Sequence, residues 1–402
     1  MGWIIVCLLP ILFLWWEYLV ERRIEQPQIN STIIVTICIF VVSILLDKLT
    51  KYPGQRALVV ILPLLFVVSF LTSAILIIFR ISYSVYQLSS SFFIGAIFFL
   101  VFQLYLTQKQ KFTIAYLPFG RCKEFNQLNQ ANLYNLYALT SFTLDKNPEA
   151  IVADLSSPEI EGNWQRFLAQ QTIKGMPVYN YLQIYESLTG RSPIQYLYEN
   201  DLGSLQPSQG YLWLKRWLDI GLVLLSLPIV LPIMLLTALL IKLGSEGKII
   251  FVQERIGQAG KPFKMYKFRS MKVDTLNQKQ PLTQLNDIRV TNFGRVIRKL
   301  RIDELPQFYN VLKGDMSLIG PRPELPSEVA RLEQEIPFYI YRQIVKPGIS
   351  GWAQVMQGEG HVENIQTKLE YDFYYIKNFS ITLDFLIVIK TIQTMLTGFG
   401  AR

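Results

Sequence analysis

The sequence predicts an α-helical membrane anchor joined to α/β structure, on three observations. Of its 402 residues, 51% are hydrophobic and only 17% are charged, against about 25% charged in a soluble globular chain. The apolar excess is unevenly spread, with four apolar runs filling the first 106 residues. Between residues 107 and 214, short β-branched or aromatic segments alternate with a helix-period segment, the order that builds a small parallel sheet.

The runs are Trp3–Val20, Ser31–Leu46, Ala57–Phe79 and Leu88–Leu106. A membrane span takes about 20 apolar residues, range about 17–25. The first, third and fourth runs qualify, and the second is short, closed by Asp47. Trp3, Trp15, Trp16, Tyr18 and Tyr52 lie near run ends, where amphipathic rings favour the headgroup layer. The first run lacks a basic start and a small-residue cleavage site, so it reads as a span rather than a secretory signal. With four spans, Lys48, Lys51, Arg56, Lys109, Lys111, Arg121 and Lys123 share one side, and Arg22, Arg23 and Arg80 the other. The positive-inside rule then places the N-terminus and everything after run four in the cytoplasm.

In 107–214, Phe112–Leu117, Ala150–Asp154 and Pro177–Tyr181 read as strands bounded by turn formers. Glu161–Lys174 reads as a helix, with Trp164, Phe167 and Leu168 on one face. The turn after the first strand, Leu117-Pro118-Phe119-Gly120-Arg121, has one glycine where a dinucleotide fingerprint needs three. A scaffold or regulatory domain is the expectation.

A fifth apolar run, Leu218–Leu243, contains Pro228 and Pro232 and has lysine or arginine at both ends. Positive charge at both ends argues that both stay in the cytoplasm. Proline removes a helix donor, so the run predicts a helix–break–helix at Pro232 that enters the inner leaflet and returns. A kinked fifth span is the alternative.

Charge is concentrated beyond it. The chain carries net +9, yet residues 255–301 alone hold twelve basic and two acidic residues, a net +10. Such a cluster suits anionic lipid headgroups or phosphate; the membrane segments argue against nucleic acid. Asp303-Glu304 follows directly. Adjacent helical carboxylates point about 100° apart, so they cannot form a symmetric acid/base pair. They can divide two roles, one attacking and one binding a divalent cation with substrate phosphates. A solvated helix start is the plain alternative. In Lys313–Glu324, glycine and proline mark a fixed turn in which Arg322 lies between two prolines. Its guanidinium suits bidentate phosphate binding; pairing with Glu324 or Asp315 is the alternative.

The single histidine, His361, excludes a histidine-rich metal site, and the scattered Cys7, Cys38 and Cys122 make no disulfide framework or zinc site.

Taken in order, these blocks resemble the bacterial sugar transferases called polyprenyl-phosphate glycosyl-1-phosphate transferases. The likeness runs from about Lys215 to Arg402. It covers Lys215–Asp219, Phe251–Gly257, Tyr266–Met271, Asp303–Gln307, Gly314–Pro323, Pro347–Val355 and Tyr371–Tyr375, and its tail is similar to exopolysaccharide-type members. The four spans and the α/β region look like the family's large form. The resemblance implies a four-helix transmembrane region over 1–106 and a small degenerate Rossmann-like domain over 107–214. It implies a mainly helical catalytic domain over 215–402, with a re-entrant helix at 218–243.

The implied activity is transfer of a sugar-1-phosphate from a UDP-sugar to undecaprenyl phosphate, releasing UMP and starting exopolysaccharide or related glycan synthesis. The family's nucleophile falls on Asp303, its Mg²⁺ ligand on Glu304, and its basic residues on Lys267, Arg298 and Arg322. Arg269 and Asp315 are further expected substrate contacts, inner-membrane lipids expected partners, and the large form is compatible with a homodimer. Two departures stand out. Leu231, where members usually have serine, precedes Pro232, and Gly358, Gly360 and His361 stand where many have Asn-Gly-Arg. A catalytically inactive membrane scaffold is the alternative, against which the intact Asp303, Glu304 and Arg322 argue.

Overall fold

The computed structural model describes residues 10–16, 18–19, 24–49, 57–109, 112–128, 134–144, 147–194, 206–244, 246–271, 289–357 and 365–397. Gly358, Gly360 and His361, and the basic residues Lys272 and Lys279, lie outside them. The structure is mostly helical with some parallel sheet, and it divides into two compact units, Met1–Gly190 and Arg191–Arg402. The division expected between 106 and 107 falls inside the first unit.

The first unit begins with α1 (Gln26–Leu49), α2 (Ala57–Ile78) and α3 (Val85–Lys109). The second apolar run, expected to be short, instead lies in a 24-residue helix. Polar residues at its start bond locally and extend it, as where Glu25 N donates to Gln28 Oε1 at 2.8 Å and Ser31 Oγ to the Pro27 carbonyl at 2.7 Å. Among the described residues two helices are long and apolar enough to cross a membrane, Gln26–Leu46 within α1 and Gln209–Gly244. Four spans were expected; Val67–Leu76 and Val85–Phe98 are shorter apolar stretches.

Beyond α3 the expected parallel sheet forms: β1 (Phe112–Tyr116), β2 (Tyr134–Ala138), β3 (Ala150–Ala153) and β4 (Val178–Asn180), with spatial order β2-β1-β3-β4. All pairs are parallel, with Ala115 opposite Tyr137 and Ile151, and Val152 opposite Tyr179. α4 (Gly162–Ile173) and α5 (Tyr181–Thr189) complete it. Ala115, Leu117, Ile151, Ala153, Phe167 and Leu168 make its core, with Trp164 packed on the edge.

The second unit opens with α6 (Gln209–Gly244), 36 residues long with both prolines inside it. The break expected at Pro232 is therefore corrected: the helix is continuous. The prolines are four residues apart and so share one face. Their missing N–H groups leave two gaps on one side of the ladder, which bends a helix without ending it.

Burial on α6 is confined to its two ends. Lys215, Asp219 and Val223 are buried, then nothing until Thr237 and Ile241. Val223 joins Phe263, Met265, Val311 and Met316 in one cluster, and Ile241 joins Phe268 and Ile297 in another. Phe263, Met265 and Phe268 all belong to β6 (Pro262–Phe268), antiparallel to β5 (Ile250–Ile256). Both ends of α6 thus seat on one strand's surroundings while Leu224, Leu225, Ile229, Leu231 and Leu235 between them are exposed. The unit continues through α7 (Asn292–Lys299), α8 (Gln307–Lys313), β7 (Ser317–Ile319), α9 (Pro326–Glu335) and β8 (Gly348–Ser350). It ends with α10 (Trp352–Gln357), α11 (Ile365–Lys377) and α12 (Ile381–Thr397).

Candidate active site

Three pieces of chain bring the charged residues together. On β6, Phe263 and Met265 point inward and are buried. Lys267 shares their parity along the strand, so its stem enters the protein and its side chain is only 17% exposed. α7 starts on Thr291, whose Oγ1 accepts from Gly294 N at 2.8 Å. A Cβ on Gly294 would lie 2.0 Å from the Ser270 carbonyl, so this close seating of α7 on the exit of β6 requires glycine. After α7, Arg301 adopts φ +54°, a left-handed conformation costing on the order of 1–3 kcal/mol in a non-glycine residue. That reversal feeds the short 3₁₀ turn Ile302–Glu304, which carries both acids just ahead of α8.

Glu304 is buried, and its Oε1 accepts from Lys267 Nζ at 3.1 Å and from Arg322 Nη1 and Nη2 at 3.2 and 3.3 Å. Arg301 Nη1 lies 3.7 Å from Oε2, a charge contact. Beside it, burial and then the Glu304 charge push the Asp303 carboxyl up to about 6, against the opposing pull of Lys267, Arg298 and Arg322. Asp303, Glu304, Lys267, Arg298 and Arg322 therefore share one electrostatic neighbourhood. Arg322 pairs with Glu304, not with Glu324 or Asp315, the two carboxylates proposed from sequence.

Two expected contacts sit elsewhere. Arg269 is buried, and its Nη1 donates to the Glu246 carbonyl at 2.5 Å, tying the exit of β6 to the turn after α6. Asp315 lies past the other end of α8 and accepts from Lys313 Nζ at 2.9 Å. It borders a cleft of about 840 Å³ that also touches Gly257, Lys261, Phe263 and Tyr341, away from Asp303 and Glu304.

A buried ionic frame, not evident in the sequence, fixes the Pro321–Glu324 backbone. Arg342 Nη2 donates to the Arg322 carbonyl and to Asp372 Oδ2, both at 2.9 Å, while its Nη1 donates to the Tyr339 hydroxyl at 2.7 Å. Arg255 Nη1 donates to the Pro323 carbonyl at 3.1 Å, and Ile256 N to the Glu324 carbonyl at 3.0 Å. Lys368 bonds the Glu324 side chain. Burial pushes that carboxyl up, yet Lys368, Arg342 and Arg255 hold it down at about 2. The frame carries Arg322 from behind, leaving its guanidinium for Glu304. One signal was available: Asp372 is the lone acid in the aromatic run Tyr371–Tyr375, and a buried charge needs a partner.

The start of α6 is clamped similarly. Lys215 bonds Asp384, which also accepts from the Tyr211 and Tyr375 hydroxyls at 2.6 and 2.7 Å. Asp219 accepts from Ser317 Oγ at 2.7 Å, and Arg216 donates to the Val311 and Leu312 carbonyls at the end of α8.

Two neighbouring carboxylates fit Mg²⁺, which is commonly held by one or two carboxylates plus substrate phosphates. Among the described residues no group of three or more histidine, cysteine, aspartate or glutamate side chains could hold a metal ion, so the substrate's oxygens would complete the shell. Burial first, and the Glu304 charge second, raise the Asp303 carboxyl, and a bound cation would favour its charged form.

Residues 210–398 match the family model described as bacterial sugar transferase. The chain is 42% identical to the UDP-N-acetylgalactosamine-undecaprenyl-phosphate N-acetylgalactosaminephosphotransferase of Aeromonas hydrophila, over 100% of this chain and 95% of that protein. It is 43% identical to the UDP-glucose:undecaprenyl-phosphate glucose-1-phosphate transferase of Escherichia coli K12, over 44% of this chain and 39% of that protein. It is 39% identical to the Klebsiella pneumoniae protein of the same name, over 53% of this chain and 46% of that protein.

Proposed function

The chain belongs to the bacterial sugar transferase family, and from that premise we propose that it transfers a sugar-1-phosphate from a UDP-sugar to undecaprenyl phosphate. The observation that carries this reading is the Asp303–Glu304 pair, with Glu304 drawn under Lys267 and Arg322 and Asp303 left buried with its carboxyl near 6.

An Asp303 carboxylate oxygen attacks the sugar-proximal phosphorus of the donor. The P–O bond to the nucleotide breaks, UMP leaves, and a phosphosugar is left bonded to Asp303. A phosphate oxygen of undecaprenyl phosphate then attacks the same phosphorus. The bond to Asp303 breaks, the carboxylate returns, and a polyprenyl diphosphate sugar departs. Neither nucleophile needs a proton removed above its pKa, which suits a chain with one histidine. Lys267, Arg298 and Arg322 hold phosphate oxygens and offset the charge that spreads over the transferring group. Glu304 keeps Lys267 and Arg322 aimed at that position and, with Asp303 and the substrate phosphates, would hold Mg²⁺. When bound, that ion supplies charge neutralisation at the diphosphate.

The membrane reading follows from α6. Bent at its two prolines, its exposed apolar middle dips into the inner leaflet, while both packed ends stay with the cytoplasmic unit. Four N-terminal spans anchor the chain with the catalytic unit in the cytoplasm. The full-length likeness to the Aeromonas protein supports N-acetylgalactosamine as the sugar, and glucose is the second to try.

The test is to incubate the purified protein with Mg²⁺ and each UDP-sugar, without lipid. UMP release and a phosphohexose adduct on the Asp303 peptide, found by mass spectrometry and absent in Asp303→Asn, are expected. Lipid-dependent product from a fully active Asp303→Asn variant would overturn the nucleophile.

A further inference from the structure

The sheet of the first unit has a crevice that the proposed reaction leaves unused. In the order β2-β1-β3-β4 the chain leaves β1 to one side for β2 and returns to the other side for β3. Open parallel sheets bind ligands at such a switch point, beyond the carboxyl ends of the two strands. Here that place lies between the loop after β1, which carries Gly120 and Arg121, and the loop after β3, which carries Asp154.

It is filled by the protein's own charges. Asp154 Oδ2 accepts from the Arg121 backbone N–H at 3.0 Å and from Arg121 Nε at 2.8 Å, and Oδ1 accepts from Arg121 Nη2 at 2.5 Å. Ser156 Oγ donates to Oδ1 at 2.8 Å, Gly120 N lies 3.4 Å from Glu159 Oε2, and Lys123 Nζ donates to Glu159 Oε1 at 2.7 Å. The Asp154 side chain is 4% exposed.

Gly120 supports the same conclusion. In a dinucleotide site, glycine lets the backbone approach the ligand's pyrophosphate. Gly120 has φ +53°, and a Cβ there would lie 2.6 Å from Asp154 Oδ2 and 2.8 Å from Ser157 Oγ. The missing side chain admits a carboxylate of this chain instead of a phosphate. Burial alone would raise that carboxyl, but the Arg121 guanidinium, the Arg121 N–H and Ser156 hold it far below the usual range.

We propose that this sheet is a nucleotide-type crevice occupied by an internal ligand: the Asp154 carboxylate stands where a phosphate would bind, locks the β1 and β3 loops together, and closes the domain to nucleotides. The region is then a scaffold, and removing Asp154 unmasks an anion site of phosphate size formed by the Arg121 guanidinium and the Arg121 backbone N–H.

Hydrogen exchange of the full-length protein, read on peptides covering 112–128 and 150–157, tests this locally. In the parent, 10 mM AMP or inorganic phosphate should change nothing relative to chloride at matched ionic strength. Asp154→Ala should exchange faster there, on the order of a hundredfold, as a buried arginine loses its partner. Phosphate or formate should restore at least about tenfold of that protection, and the Arg121→Ala, Asp154→Ala double variant should regain none. If Asp154→Ala does not fold, Asp154→Ser, shorter and uncharged, leaves the same space open and carries the same comparison. Protection of these peptides by AMP or phosphate in the parent would overturn the proposal. So would a variant that exchanges as the parent does, or one that anions leave unchanged.

Discussion

Asp154 and Asp303 are both aspartates drawn into the protein beside arginine, one in each unit. Asp154 receives its arginine directly, through hydrogen bonds from both the guanidinium and the backbone of Arg121. Its charge is settled, and the carboxyl titrates far below the usual range. At Asp303 the neighbouring cations are committed first to Glu304, and the same desolvation leaves the carboxyl raised to about 6. A carboxylate whose demands are met holds a fold together. One left raised by burial, beside cations already engaged by a neighbour, is on the proposed reading free to react.

The comparison breaks most visibly at the nucleophile. Asp303→Asn should lower turnover by at least about 10³-fold in a radiolabelled lipid-product assay, since the proposed bond cannot form. The same change should stabilise the protein by about 1–3 kcal/mol at pH 7.5, read as a rise in Tm, because ionising this buried group works against folding. Asp154→Asn should do the opposite, lowering Tm while leaving turnover of the folded fraction within about twofold.

Glu304→Gln should cost about 10²–10³-fold in kcat by loosening Lys267 and Arg322. Its apparent Mg²⁺ requirement should rise, a shift that general destabilisation would not produce. Arg342→Lys keeps the charge but loses the fork that holds both the Arg322 carbonyl and Asp372. A drop of about 10–100-fold is expected, larger in kcat/KM for donor than in Tm, and Asp372→Asn should mimic it.

The pH responses sharpen the contrast at lower amplitude. With Asp303 near 6 in the free enzyme, activity should be level above that value and fall about tenfold per unit below it as the carboxylate protonates. Glu324 has the reverse sign for stability. Its carboxyl lies at about 2 against an ordinary 4.5, so its contribution persists at neutral pH and is lost as acid passes through that interval. Urea midpoints from pH 5 to pH 2 would follow it.

Much of the fold could be read locally. β1, β3, β4 and α4 fall within a residue or two of the segments named from β-branched runs and helical spacing. β2, Tyr134–Ala138, was missed: its Asn135 and Ala138 are poor strand formers, and parallel pairing to β1 supplies what propensity lacks. At the site, Asp303, Glu304 and Arg322 were legible because acids after a basic stretch and an arginine between prolines are unusual in sequence itself. Arg342 and Asp372 were not, because a contact across thirty residues leaves no periodic mark. Arg269 and Asp315 show where block-level reading stops. Both sit in the right blocks, but one is turned to the Glu246 carbonyl and the other lies past the far end of α8. Pro232 was read by its local rule as a break, yet both prolines lie inside one helix, as a proline can bend a helix without ending it.

Because both packed stripes of α6 belong to the unit that holds Asp303, the exposed apolar surface and that carboxylate move as one part. On the proposed reading, depth in the bilayer is then a property of that unit, carried with it and set independently of the helices of the first unit.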